Sequence, residues 1–229
     1  MTQNRVVRGV LLDVDGTLID SNDAQAHAWL QAMGENGYDD VPFEKIRPLI
    51  GMGGDKVLPE ILGIEKDSDD GKKISQRRKE IMKERYLPTL HAFPHVMDLL
   101  KRMHDQGLRL VIATSAEPDE LEVALQMIDP HASELFANGA SSKDAKASKP
   151  DGDIVQAAIN MADLPPQDLV MLGDTAFDIE AAEKAGVKTI AFRSGGWSDQ
   201  DLKGALAIYD DPADLLAHYD GSPLTRGLS

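Results

Sequence analysis

Apolar, β-branched runs recur along the chain at residues 6–14, 108–114, 169–173, 187–192 and, more weakly, 205–209. Helical periodicity fills most of the intervals between them. Val96, Met97, Leu99, Leu100 and Met103 mark one apolar face across 94–105. Leu121, Val123, Ala124, Leu125 and Met127 do the same across 119–128, and 153–161 and 176–185 are similar. Strands alternating with helices predict βαβ units and a Rossmann-like α/β core with a mainly parallel sheet.

Residues 20–92 break that rhythm. They contain no strand pattern and read as helices over 23–35, 43–50, 55–62 and 72–87, punctuated by Gly37, Pro42, Gly51, Gly53, Gly54 and Gly71. The expected organisation is therefore a core built from 1–19 and 93–229, interrupted by a small α-helical insertion over 20–92. The last residues, 221–229, read as a frayed tail.

Composition narrows the function. A chain of 229 residues with 42% hydrophobic and 28% charged residues suits one soluble domain with an insert. A net charge of −15 argues against a nucleic-acid partner. The absence of cysteine excludes disulfides and thiol chemistry and is compatible with a reducing compartment. The first five residues carry no signal-peptide pattern, and no apolar run approaches membrane-spanning length, so a cytoplasmic protein without a membrane partner is expected.

Four short segments, each expected at the end of a strand or the start of a helix, carry candidate chemistry. In Asp13-Val14-Asp15-Gly16-Thr17 two carboxylates one residue apart follow an apolar strand. Such a pair repels itself unless a cation lies between, and it can divide nucleophilic attack and proton transfer between its members. A solvated strand-end pair is the plainer alternative. Thr114-Ser115 can bind phosphate oxygens or simply cap the next helix. Lys149-Pro150 offers an ammonium in a defined loop, with Lys143 and Lys146 as nearby competitors. In Gly173-Asp174-Thr175-Ala176-Phe177-Asp178 the acids are four apart, a spacing that places both on one helical turn. They suit either a hard cation or the helix dipole.

Together, and in this order, the segments resemble the haloacid-dehalogenase-like hydrolase superfamily, and the helical insert is similar to the cap of its phosphoglycolate phosphatase and β-phosphoglucomutase-like branch. The resemblance implies a Mg2+-dependent phosphatase acting on a small phosphorylated metabolite. Asp13 would be nucleophile and metal ligand, and Asp15 general acid/base with its backbone carbonyl on the metal. Thr114, Ser115 and Lys149 would hold the phosphoryl group. Asp174 would ligate the metal and Asp178 would support it. A monomer or weak homodimer is expected. The nearest rival is a sugar-phosphate mutase, whose cap histidine is replaced here by Gln25. A non-catalytic phosphate- or metal-binding module is the more distant one.

The cap residue expected to read the substrate is Arg47, beside the glycines at 51, 53 and 54, although a surface charge is an equal alternative. His27, in the first cap helix, could reach the site, but an ordinary helix-surface or packing role is expected. The basic stretch over 72–85 is expected to present a solvated face.

Overall fold

The computed structural model describes residues 6–227; Met1–Arg5, where no signal peptide is expected, and the last two residues of the expected tail lie outside it. Six strands, β1 (Gly9–Leu12), β2 (Arg109–Ala113), β3 (Phe136–Ala140), β4 (Leu169–Gly173), β5 (Lys188–Phe192) and β6 (Ala207–Tyr209), form one sheet in the order β3-β2-β1-β4-β5-β6. All pairings are parallel. A parallel strand covered on both faces needs apolar residues at every position rather than alternation, and β1, Gly-Val-Leu-Leu, is buried throughout.

The two faces have separate cores. Val10, Leu12, Leu110, Ile112, Val170 and Leu172 pack against α5 (Val96–Asp105), which contributes Val96, Leu99, Leu100 and Met103. Leu11, Val111 and Met171 pack on the other side against α7 (Asp153–Ala162) and α8 (Ala176–Lys184). Helix α6 (Pro118–Ile128) follows β2, and α9 (Pro212–Ala217) and α10 (Pro223–Arg226) close the chain.

Between β1 and α5 lie four helices, α1 (Asn22–Glu35), α2 (Phe43–Ile46), α3 (Gly54–Leu62) and α4 (Asp69–Ile81), with a π turn over Met82–Tyr86 and a 3-10 turn over Leu87–Thr89. They enclose a third core of their own, built from Ala26, Trp29, Met33, Ile46, Leu58, Ile74 and Ile81 among others. No named strand lies in this stretch; an isolated bridge between Ile19 and Ala92 ties its two ends together.

Three expectations need correction. Strand β3 carries no strand pattern in its sequence, Phe-Ala-Asn-Gly-Ala; it is held by pairing with β2, where Gly139 lies against Ile112. The tail is ordered as far as it is described: Ser222 caps α10, and Leu224 is buried beside Leu215 and Tyr219. The helix expected over 43–50 ends at Ile46 and tightens into a 3-10 turn over Arg47–Leu49, where Pro48 cannot donate to an α-helical ladder.

Candidate active site

Strand register gathers the site. Leu12 pairs with Ile112 on one side and Leu172 on the other. The residues one or two positions further along three parallel strands therefore emerge together at the C-terminal edge of the sheet, where ligands of such sheets bind. They deliver Asp13, Thr114 and Asp174.

Asp13, Asp174 and Asp178 are buried, and each offers a carboxylate oxygen within 4.8 Å of those of the other two. Asp174 and Asp178 do not share a helical turn, contrary to the sequence expectation. Asp174 ends its strand, Thr175 caps α8, and Asp178 sits at the third helical position, where its Oδ2 accepts from the Thr175 N–H at 3.0 Å and from its hydroxyl at 2.6 Å. The capping box aims the other Asp178 oxygen at Lys149 Nζ, 2.8 Å away. Lys149, 1% exposed, donates also to Asp13 Oδ1 at 2.5 Å. Lys143 is exposed, and Lys146 lies on the cavity wall rather than beside Asp13.

The electrostatics follow from burial. Desolvation drives the Asp13 carboxyl up to about 7, with Asp178 and Asp15 adding to the rise and Lys149 opposing it. Asp174 is pushed well above the carboxylate range by burial first, then by Asp178 and Asp13. Burial alone would lower the Lys149 ammonium, but the charges of Asp13 and Asp178 hold it above its ordinary value. Three buried acids against one buried ammonium leave an excess of negative charge, and an all-oxygen donor set of this kind fits a hard divalent cation.

Several further residues support these carboxylates, among them Gly16 and Thr17 of the first motif. Thr17 Oγ1 donates to Asp13 at 3.1 Å and to Asp174 at 3.0 Å, and Asn22 Nδ2 donates to Asp174 at 2.8 Å. Gly16, at φ +76°, lets the chain pass Asp174 where a Cβ would lie 2.1 Å from its Oδ2. Asp15 stands outside the buried triad. Its Oδ1 accepts from Ser21 Oγ at 2.5 Å and Gln25 Nε2 at 2.9 Å. Arg78 donates to the Gln25 carbonyl, which orients that amide with its NH2 toward Asp15.

A cavity of about 360 Å³ opens over this floor. Asp13, Asp15, Thr114 and Ser115 line it from the core, and Trp29, the backbone around Gly51–Gly54, Ser75, Arg78 and Lys79 line it from the helical insert. Thr114 is buried and Ser115 has a buried Oγ with no partner. Arg47 is not among the lining residues; it pairs at 2.5 Å with exposed Asp23. The basic face of α4 is not simply solvated either: Arg78 pairs with Glu120 at 2.7 Å and Lys79 with Glu117 at 3.0 Å, bridging α4 to α6. His27 stacks on Phe43, in a packing role.

Known proteins resemble this chain over most of its length. The chain is 29% identical over 196 residues to a phosphoglycolate phosphatase of Aliivibrio fischeri, covering 82% of this chain and 85% of that one. It is 28% identical to the pyrophosphatase PpaX of Bacillus velezensis, covering 91% and 90%. The crystal structure of a hydrolase from Pseudomonas syringae superposes with a TM-score of 0.84 at 28% identity, covering 93% of this chain and 98% of that one. The family profile of haloacid dehalogenase-like hydrolases matches residues 10–192, from the strand that delivers Asp13 to the one beyond Asp174, and the chain belongs to that family.

Proposed function

We propose that the chain is a Mg2+-dependent phosphatase that transfers the phosphoryl group of a small phosphorylated metabolite first to Asp13 and then to water. The observation that carries this reading is the placement of Asp13, which touches Lys149 and lies against Asp174 and Asp178 on the cavity floor. Asp13 attacks phosphorus as the P–O bond to the leaving group breaks, and Asp15 gives its proton to the departing oxygen. Asp15 then takes a proton from water as the water oxygen attacks phosphorus and the Asp13–phosphorus bond breaks. Thr114, Ser115 and Lys149 hold the phosphoryl oxygens, with Lys149 countering their charge. Asp13 and Asp174, supported by Asp178 and the Asp15 backbone carbonyl, would hold the cation. A bound Mg2+ would neutralise charge on the carboxylates and the phosphoryl group.

Residues 20–92 act in this reading as a cap over a core of 1–19 and 93–229, excluding water from the cavity. Their separate apolar core supports that division. A cytoplasmic monomer or weak homodimer fits the absence of cysteine and of any described helix long and apolar enough to cross a membrane. Gln25 rather than a histidine beside Asp15 favours hydrolysis over the mutase reaction.

Turnover of phosphomonoesters with magnesium tests the reading. Asp13→Asn is expected to lower kcat by about 10³-fold or more without loss of the folded state. An Asp13→Asn enzyme with full magnesium-dependent activity would remove the nucleophile from the account.

A further inference from the structure

Apart from Asp13 and Asp15, the cavity wall carries four cations, Lys66, Arg78, Lys79 and Lys146, and four acids, Asp55, Asp67, Glu117 and Glu120. The two cations of α4 are already committed, Arg78 to Glu120 at 2.7 Å and Lys79 to Glu117 at 3.0 Å. Those same two acids close the capping box at the start of α6. The N–H groups of that helix, which would otherwise attract an anion, therefore already face carboxylates. Exposed Lys146 and half-buried Lys66 are matched in number by Asp55 and Asp67. Beyond the catalytic pair the wall is neutral overall.

Besides Arg78 Nε, which has no hydrogen-bond partner although the same guanidinium is held by Glu120, what the wall offers unpartnered is hydroxyl chemistry. Ser75 on α4 and Ser115 on the core both line the cavity, and the buried Oγ of each lacks a hydrogen-bond partner. A buried hydroxyl without a partner is costly, and a serine can reorient about χ1 to meet one. Trp29 adds an apolar indole face, with the Arg78 guanidinium 5.8 Å from its ring centroid.

We propose that the leaving group is neutral and hydroxylated, of the polyol or sugar class, and that a second anion on the substrate is disfavoured. Ser75 is then a specificity residue: it exchanges hydrogen bonds with a substrate hydroxyl, while Glu117 and Glu120 hold Lys79 and Arg78 back from a carboxylate or second phosphate. This rests on the phosphatase reading above and goes beyond it in naming the class of ester. It also sets the chain apart from its relatives named for phosphoglycolate and pyrophosphate, both of which carry a second anionic group.

The test uses the full chain with magnesium. Specificity constants are compared for glycerol 1-phosphate and glucose 6-phosphate against 2-phosphoglycolate and inorganic pyrophosphate, with p-nitrophenyl phosphate reporting hydrolysis itself. The esters with neutral leaving groups are expected to be favoured by about tenfold or more. Glu117→Gln, which leaves Lys79 unpaired, shifts the ratio several-fold toward 2-phosphoglycolate, and Ser75→Ala shifts it away from glycerol 1-phosphate. Hydrolysis of p-nitrophenyl phosphate together with a preference for 2-phosphoglycolate or pyrophosphate overturns the proposal and leaves the phosphatase reading standing. So does a ratio unmoved by Glu117→Gln. An enzyme inert toward all five substrates overturns both.

Discussion

Asp13, Asp174 and Asp178 crowd one another at the centre of the molecule, and the consequences are those of like charges in a poorly hydrated place. The pKa of Asp13 is raised from 3.8 to about 7, and that of Asp174 is raised as well. A carboxyl whose pKa is higher in the folded state binds more protons there than in the unfolded chain. Its contribution to stability is fully present below the unfolded value and is lost as pH climbs from about 4 through about 7. The metal-free protein should accordingly lose Tm at this site between pH 5 and pH 7.5. Asp174→Asn removes one of the repelling charges, and at pH 7.5 it should stabilise the metal-free protein by roughly 1–2 kcal/mol while flattening that decline. The same variant should forfeit the stabilisation that magnesium gives the wild type, which is about 2.7 kcal/mol at a hundredfold excess over Kd. Thermal melts across pH, with and without magnesium, read both effects. A variant that melts lower than wild type in metal-free buffer at pH 7.5 would contradict the account.

At the scale of elements, legibility follows from how much of an element's stability is local. Strands β1, β4 and β5 are unbroken apolar runs because both faces of the sheet are covered, and such runs are visible in any sequence. The carboxylates at their ends were visible for the same reason, since Asp13 and Asp174 each follow directly on one of them. Strand β3 was not visible. Its stability lies in pairing with β2 and in the fit of Gly139 against Ile112, contacts between residues far apart in sequence. Arg78 was misread similarly: a basic helix looks solvated until α6 is known to bring Glu117 and Glu120 against it. Asn22 and Gln25 support the carboxylates only because α1 begins directly behind them. The C-terminal segment is the sharpest case. Read locally it is a polar tail, yet Leu224 is 1% exposed and belongs to the core beneath α5. Leu224→Ala should cost about 2–4 kcal/mol in denaturant unfolding. A cost under about 0.5 kcal/mol, typical of a surface position, would return the segment to the status of a tail.

Across the whole molecule, two sets of contacts close the helical insert over the core on opposite flanks of the cavity. On one, Arg78 and Lys79 meet Glu120 and Glu117. On the other, Ser148 Oγ accepts from the Gly53 N–H at 3.1 Å and donates to Asp55 Oδ1 at 2.6 Å, and Lys56 pairs with Asp151 at 2.7 Å. A Cβ on Gly53 would lie 2.6 Å from that of Ser148, so only glycine permits this approach. Each set lands beside a residue proposed above to hold the phosphoryl group: Ser148 precedes Lys149, and Glu117 lies three residues after Thr114. Closure of the insert and the positions of those residues are therefore mechanically linked. The pairs are partly exposed, and such pairs contribute about 0–1 kcal/mol each, screened over about 8 Å at physiological salt. In the proposed function, a lid held this weakly can open for product to leave, and weakening it further should be felt in substrate capture before it is felt in folding. Asp55→Ala, which removes the partner of the Ser148 hydroxyl, should lower kcat/KM by about tenfold, mainly through KM. Its Tm should stay within a few degrees of wild type, because the apolar cores on both sides of the contact are untouched. Raising the salt concentration should reproduce part of the KM effect in the wild type and less of it in the variant. Unchanged kinetics in Asp55→Ala together with a lowered Tm would make the contact a structural one and sever closure from phosphoryl binding.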